Sequence, residues 1–310
     1  MCISKIHDVC ICVMAHNEQR HIANTLRSLV AESDFLACEI KVYANGCTDN
    51  TVKISQELSL QYHRITLVEL EIASKANAWN TAFFENSASI LIFADGDVVL
   101  EDGAILGLFD TLTDSQGGIS LAGCTLWPEF KNITFEQKFV GFLQLPLYQD
   151  FLSGGLYAVV RNELMSLFQH NGINSLPVGL VGEDTFLEKI TPRKQFTVIP
   201  QKVYYKPPVL KEYWRYLARL RWQARQIALI LEPSSGDHAR EVSSFKKFFH
   251  KVKSNKNVLR LLLGLFVVTL RYFIILINRR KISKNLANMG EVTLHGAEML
   301  SMHTRSHSAK

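Results

Sequence analysis

The sequence predicts an α/β protein: a doubly wound, mostly parallel sheet followed by a helical C-terminal region that associates with a membrane. Three observations carry this expectation. Short apolar runs without polar alternation, such as Ser89-Ile90-Leu91-Ile92-Phe93-Ala94, read as parallel strands buried on both faces. Segments with apolar residues at helical spacing separate these runs, the pattern of strand–helix–strand crossovers. Between residues 206 and 284 the chain has 18 Lys and Arg against 4 Asp and Glu, whereas the remainder has 16 against 25. The α/β body is therefore acidic and the later part basic.

Val9 to Met14 is the first strand, and Arg20 to Val30 is a helix with Ile22, Leu26 and Leu29 on one face. Ile40 to Ala44 is the second strand. A Gly-containing turn then leads to a helix from Asn50 to about Gln61, with Thr48 or Asp49 as its N-cap. Ile65 to Leu70 and Ile90 to Ala94 are further strands, with a helix near Ala76 to Glu85 between them. Right-handed crossovers place the ends of these strands on one edge, where open α/β sheets bind ligands. Later, Gly154-Gly155 precede a strand from Leu156 to Val160, followed by a helix from Asn162 to about Gln169. A Gly- and Pro-bearing loop, Asn171 to Gly182, ends in Glu183-Asp184 at the start of another helix, and Tyr213 to Leu231 is a long basic, aromatic helix.

At 310 residues and 47% hydrophobic content the chain can bury a full core. Its six cysteines form no C-x-x-C pair, so reduced thiols in a cytosolic setting are expected rather than a zinc or disulfide framework. The run Val9 to Met14 is too short and too poorly flanked for a secretory signal. Asn257 to Ile277 is nearly long enough to span a bilayer, but Arg260 and Arg271 interrupt it and lysines and arginines flank both ends. A helix lying in the interface, or a re-entrant hairpin, fits that pattern, and a buried helix of a soluble fold is the alternative. The basic block suits an anionic membrane face. No nucleic-acid-binding module accompanies it, and no nucleic-acid partner is expected. Beyond Asn288 the chain is polar and expected to be disordered.

Asp95-Gly96-Asp97 follows the Ile90–Ala94 strand. Two carboxylates at a strand end suit Mg²⁺ or Mn²⁺, which takes one or two protein carboxylates and completes its shell with water and phosphate oxygens. A plain Asp-Gly turn is the alternative. Four further polar clusters share this edge: Ala15-His16-Asn17-Glu18, Asn45-Gly46-Cys47-Thr48-Asp49, Lys75-Ala76-Asn77-Ala78-Trp79-Asn80, and Glu183-Asp184. In their order and spacing, over roughly residues 8 to 225, they resemble the family 2 glycosyltransferases, inverting nucleotide-sugar enzymes of the GT-A fold.

The resemblance implies a glycosyltransferase domain over 1–232; charge and apolar patterning add a basic and apolar membrane-associating region over 233–287 and a polar tail over 288–310. The resemblance also implies that Asn17, Glu18, Asn45, Lys75 and Asp95 bind the donor nucleotide, that Asp97 with Asp95 holds Mn²⁺ or Mg²⁺, that Asp184 is the general base, and that Glu183 stands on the acceptor side. It implies a nucleotide sugar as partner; the basic, apolar region adds the cytoplasmic face of a membrane and, from that location, a lipid-linked or membrane-proximal acceptor, with a soluble acceptor as the alternative. Departures are visible. Ala44 stands where many members carry Asp, Ala218 opens the segment that in processive synthases reads Q/R-x-x-R-W, and Tyr204-Tyr205-Lys206 offers no His after the late strand. Addition of a single sugar is therefore expected. Rival readings are a nucleotidyltransferase, disfavoured because His16-Asn17-Glu18-Gln19-Arg20 lacks glycine, and a non-catalytic membrane-bound scaffold of the same fold. His16, Trp79, Arg219 and Arg225 are expected to be solvated or packed.

Overall fold

The computed structural model describes residues 8–36, 38–114, 118–145 and 151–231, with positions 266, 269, 270, 273, 276 and 277. The segments 233–265 and 278–310 lie outside the described residues, as does most of the 257–277 run expected at the membrane. The six described positions in that run are helical. Among the described residues no helix is long and apolar enough to cross a membrane.

The elements run β1 (Val9–Ala15), α1 (Ile22–Glu32), β2 (Glu39–Asn45), α2 (Thr51–Gln61), β3 (Ile65–Leu70), α3 (Lys75–Phe84), β4 (Ile90–Asp95), β5 (Val98–Leu100), α4 (Ala104–Thr113), β6 (Leu121–Pro128), α5 (Phe135–Leu143), β7 (Leu156–Val160), α6 (Arg161–His170), α7 (Glu183–Ile190), β8 (Phe196–Tyr205) and α8 (Leu210–Leu231). They fall into two compact units: Met1–Glu129 with Tyr148–Lys206, and Phe130–Leu147 with Pro207–Lys310. The domain limits expected at 232 and 287 lie outside the described residues. In the second unit α5 packs against α8, segments far apart in sequence, a pairing that a linear reading does not reveal.

The first unit holds one eight-stranded sheet in the order β3-β2-β1-β4-β7-β6-β8-β5. β1 to β4 are mutually parallel, β7 runs antiparallel to both β4 and β6, β6 and β8 are parallel, and β5 is antiparallel to β8. The sheet is mostly parallel, as expected. β1 lies between β2 and β4, and all seven of its residues are buried, which is why its sequence shows no polar alternation. Ile11, Val13, Ile92 and Ala94 pack on one face with Ile22, Leu26 and Leu29 of α1 and Leu108 of α4. The other face is aromatic. Trp79 stacks on Phe83 and Phe93, with centroids 4.7 and 5.2 Å apart, and its Nε1–H donates to the Tyr157 hydroxyl at 2.9 Å. Trp79 is fully buried, in accord with the packed role expected for it.

Element starts differ from the sequence reading by local hydrogen bonding. α1 begins at Ile22 rather than Arg20, because the Glu18 carbonyl accepts from both His21 N and Ile22 N in a preceding turn. The N-cap of α2 is Asn50, while Asp49 Oδ1 accepts from Thr51 N at 2.9 Å. The long stretch between Asp95 and Gly154 contains β5, α4, β6 and α5, none of which the sequence reading placed.

In the second unit, Val140 and Leu143 of α5 pack with Tyr213, Leu217 and Ala218 of α8, and Leu270 lies against them. Thr134 and Gln137 form a capping box at the start of α5. Glu136 Oε1 accepts from Leu210 N at 2.7 Å, and Gln137 Nε2 donates to the Pro207 carbonyl at 2.9 Å.

Tyr157→Phe removes the acceptor of a buried indole N–H. It is expected to lower unfolding free energy by about 1–3 kcal/mol, measured by urea denaturation. An unchanged midpoint would mean that the bond contributes nothing to the aromatic face.

Candidate active site

The C-terminal ends of β1, β2 and β4 meet one another because parallel strands in register end at one edge: Met14 is level with Tyr43 and Asp95. Asp95 is the last residue of β4, and its backbone N–H donates to the Gly155 carbonyl at 3.0 Å. Gly96 N–H donates to the Met14 carbonyl at 3.0 Å, and the Gly96 carbonyl accepts from Thr25 Oγ1 at 3.0 Å. A Cβ on Gly96 would stand 3.2 Å from both Glu18 Cγ and the Met14 carbonyl oxygen. The glycine between the two aspartates therefore serves close approach to the end of β1.

Lys75, the first residue of α3, reaches across this edge. Its ammonium lies 2.6 Å from Asp95 Oδ1 and 2.6 Å from Glu183 Oε1. Glu183 is buried, while Lys75 and Asp95 expose 26% and 32% of their side chains. The trio is therefore largely enclosed yet reached by solvent. Burial works against the Lys75 ammonium, but Asp95, Glu183 and Asp184 outweigh it and raise its pKa. Asp95 goes up to about 6, through burial first and then the Asp97 and Glu183 carboxylates, although Lys75 pulls the other way.

Asp184 completes the group. Its Oδ1 accepts from Thr185 N–H at 2.7 Å. A Cβ on Gly154 would stand 3.0 Å from Lys75 Nζ, 3.3 Å from Asp184 Oδ2 and 3.5 Å from Glu183 Oε1. Bare backbone at Gly154 is thus what lets lysine and carboxylates converge. The loop leading to Glu183 is fastened to α3 as well: Asn80 Nδ2 donates to the Leu176 carbonyl at 2.8 Å, Leu176 N–H donates to Asn80 Oδ1 at 2.9 Å, and Ser74 Oγ donates to the Val178 carbonyl. The sequence reading gave no role to Gly154, Ser74 or Asn80. The Gly154-Gly155 doublet was the available signal for the first, and neither polar side chain had one.

Asn17, Glu18 and Asn45 sit at the same edge with different surroundings. Asn45 is buried, and its Nδ2 donates to the Ala15 carbonyl at 2.8 Å, tying β2 to β1. His16 Nδ1 lies 2.6 Å from the Asn45 carbonyl oxygen, so that nitrogen carries the proton and Nε2 accepts from Asn17 Nδ2 at 3.3 Å. Asn17 takes a left-handed backbone, φ 57°, a conformation asparagine tolerates. Its Oδ1 accepts from Thr48 N–H at 2.8 Å. These groups lock the loops after β1 and β2 into one wall. Glu18 donates its N–H to Thr51 Oγ1 at 2.7 Å, and its Oε2 lies 3.1 Å from His21 Nδ1. Its carboxyl is pushed up to about 8 by burial, then by Asp97, Asp95 and Asp49.

Asp97 makes no hydrogen bond or ion pair among the described residues. No cluster of three or more His, Cys, Asp or Glu among the described residues could hold a metal by itself. Asp95 and Asp97 nevertheless fit a hard divalent ion that draws most of its ligands from water and substrate phosphates. Burial, and after it the neighbouring carboxylates, raise the pKa of Glu18 and of Asp95 at this edge. The five cysteines among the described residues are all free thiols.

This sheet and its carboxylate-lined edge define a mostly parallel α/β domain of the GT-A type. Residues 10–151 match the family model for glycosyl transferase family 2. The match ends before Glu183 and Asp184. A curated relative, glycosyltransferase GlyA of Streptococcus pneumoniae serotype 4, is 26% identical over 113 residues, which is 36% of this chain and 16% of that protein. The likeness therefore spans less than a fifth of that relative's length. Among solved structures, a mannosyltransferase from Pyrobaculum calidifontis in complex with GDP-Man and Mn²⁺ superposes with a TM-score of 0.56 at 17% identity, covering 93% of this chain and 81% of that one. Glucosyl-3-phosphoglycerate synthase from Mycobacterium tuberculosis, in complex with Mn²⁺, UDP and its product, gives 0.53 at 18% identity, covering 74% and 82%. At these identities the likeness concerns the fold.

Two substitutions test the geometry. Gly154→Ala pushes against flexible side-chain ends rather than backbone, so it is expected to leave the melting temperature within a few degrees while weakening nucleoside diphosphate binding about tenfold or more by calorimetry. Unchanged binding would remove Lys75 and Asp184 from the site. The Glu18 carboxyl, raised from 4.5 to about 8 in the fold, binds its proton more tightly folded than unfolded. Its contribution is complete below 4.5 and lost as pH rises through 8. In metal-free buffer Glu18→Gln should therefore gain stability relative to the parent protein across that interval, and parallel pH–stability curves would contradict the crowding.

Proposed function

We propose that this protein transfers a sugar from a nucleotide-sugar donor to an acceptor hydroxyl with inversion at the anomeric carbon, one sugar at a time, at the cytoplasmic face of a membrane. The observation that carries the reading is the convergence of Lys75, Asp95, Glu183 and Asp184 beside Gly154. It joins a strand-end carboxylate suited to the donor side with a carboxylate pair on a separate helix. The ligands bound in the two similar structures, GDP-Man with Mn²⁺ in one and UDP with Mn²⁺ in the other, support a donor of this chemical class.

In this reading the wall formed by Asn17, Glu18 and Asn45 receives the base and ribose. Asp97, with Asp95, would hold Mn²⁺ or Mg²⁺, whose chemistry is to neutralise charge on the departing diphosphate. Lys75 keeps Asp95 ionised and in place on one side and Glu183 on the other. Asp184, with Oδ1 fixed by the Thr185 N–H, turns Oδ2 toward the cleft beside Gly154 and takes the acceptor hydroxyl's proton as that oxygen attacks. A single displacement requires no covalent sugar–enzyme species. The basic and apolar region 233–287 docks the protein on the membrane, which favours a lipid-linked or surface-polysaccharide acceptor by concentrating enzyme and acceptor on one surface.

The test is release of nucleoside diphosphate from a panel of UDP- and GDP-hexoses, followed by chromatography with Mn²⁺ present. Metal-dependent release from at least one donor is expected. Asp184→Asn should lower it by a factor of about 10²–10⁴ while leaving calorimetric donor affinity intact. No release from any donor would favour the scaffold, and full activity in Asp184→Asn would place the base elsewhere.

A further inference from the structure

Among the described residues of the second unit, apolar side chains stand outside its core. On α5, Phe135 is 86% exposed and Phe139, one turn later, 37%. Val140 and Leu143 turn the other way into the core with α8. Burying two phenylalanines in water-free surroundings is strongly favourable, so leaving them on the surface of one short helix calls for a partner. Thr134 and Gln137 cap this helix so that it begins at the exposed phenylalanine.

α8 supplies the complementary chemistry. Tyr213, Leu217 and Ala218 are buried on one side, and Lys211, Arg215 and Arg219, at four-residue spacing, are exposed on the other. Tyr216 and Leu220 border this basic stripe with 37% and 40% exposure. The whole stretch from 206 to 284 has 18 basic residues against 4 acidic. Aromatic and aliphatic side chains next to a basic stripe are what the headgroup region of an anionic bilayer accepts: rings enter the interface while guanidinium and ammonium groups meet lipid phosphates.

We infer that the second unit bears a lipid-contact surface, made of the α5 phenylalanines and the Lys211–Arg215–Arg219 stripe of α8, that binds anionic bilayers. It rests on the membrane part of the reading above, and not on sugar transfer. It goes beyond that part in placing the contact outside 257–277 and in naming the lipid charge.

The experiment is vesicle flotation of the full chain, using phosphatidylcholine alone and phosphatidylcholine mixed with phosphatidylglycerol. Binding to the mixed vesicles, weakened by salt, is expected for the parent protein. Phe135→Ser should weaken it about tenfold. Joint replacement of Lys211, Arg215 and Arg219 by Gln should weaken it on the order of a hundredfold. Circular dichroism and melting temperature should be unchanged in both, since the altered residues are exposed.

Parent-like binding by both variants would overturn the inference and leave 257–277 as the membrane contact. Equal binding of the parent to both vesicle types would overturn the anionic assignment. No binding at all would overturn the membrane reading itself. Concentration-dependent dimerisation in the ultracentrifuge, lost in Phe135→Ser without any effect on flotation, would make this face a contact between copies and overturn the inference as well. None of these outcomes bears on nucleoside diphosphate release, so the two readings fail separately.

Discussion

One lysine holds the site in its arrangement. Lys75 pairs at 2.6 Å with Asp95 at the end of β4 and with Glu183 at the start of α7, two residues 88 positions apart in sequence. Without the ammonium, carboxylates from two loops would face each other across a walled cleft, and their repulsion would push the loops apart or force protonation. With it, the strand edge and the later helix are set at a fixed separation. The lysine can do this because it opens α3, a helix whose buried face is anchored by Trp79 and Phe83 in the aromatic layer. Packing on one side of the helix thus becomes placement of charge at its end.

The same helix fastens the loop before Glu183 through Ser74 and Asn80. Glycine enters where side chains would interfere: Gly96 lets the aspartate turn lie against β1, and Gly154 leaves room for Lys75 and Asp184 to meet. What remains is an excess of negative charge. Burial first, and then the neighbouring carboxylates, raise Glu18 to about 8 and Asp95 to about 6. A fold that concentrates carboxylates at a strand edge bears an electrostatic cost, which the divalent cation and nucleoside diphosphate of the proposed function would relieve.

Much of this was legible in the sequence for identifiable reasons. The unalternating run at β4 and the Asp-Gly-Asp after it are consecutive residues governed by local rules, so strand, edge and candidate ligands could be read together. β1, β2 and β3 followed from the same rule. Other features depended on partners far along the chain. Asn45 is expected from the sequence at the nucleotide edge, and the further bond of its Nδ2 to the Ala15 carbonyl, which ties β2 to β1, depends on a partner 30 residues away. The Lys75–Glu183 pair joins segments that no spacing connects. α5 escaped notice although Thr134-Phe135-Glu136-Gln137 has the form of a capping box, because its mixed polarity hid it inside a presumed loop. The region 257–277 lies largely outside the described residues, so its expected membrane role stays a proposal.

The central claim is that the cleft between β4 and α7 binds a nucleotide sugar with a divalent ion. Its most direct test is thermal unfolding of the purified protein against nucleoside diphosphates and nucleotide sugars, with and without Mn²⁺, for the parent protein and Asp97→Ala. A ligand at a hundred times its dissociation constant adds about 2.7 kcal/mol of stability. The account predicts a metal-dependent rise in melting temperature for one nucleotide class, abolished in Asp97→Ala. No rise with any nucleotide, or an equal rise in the variant, would contradict it.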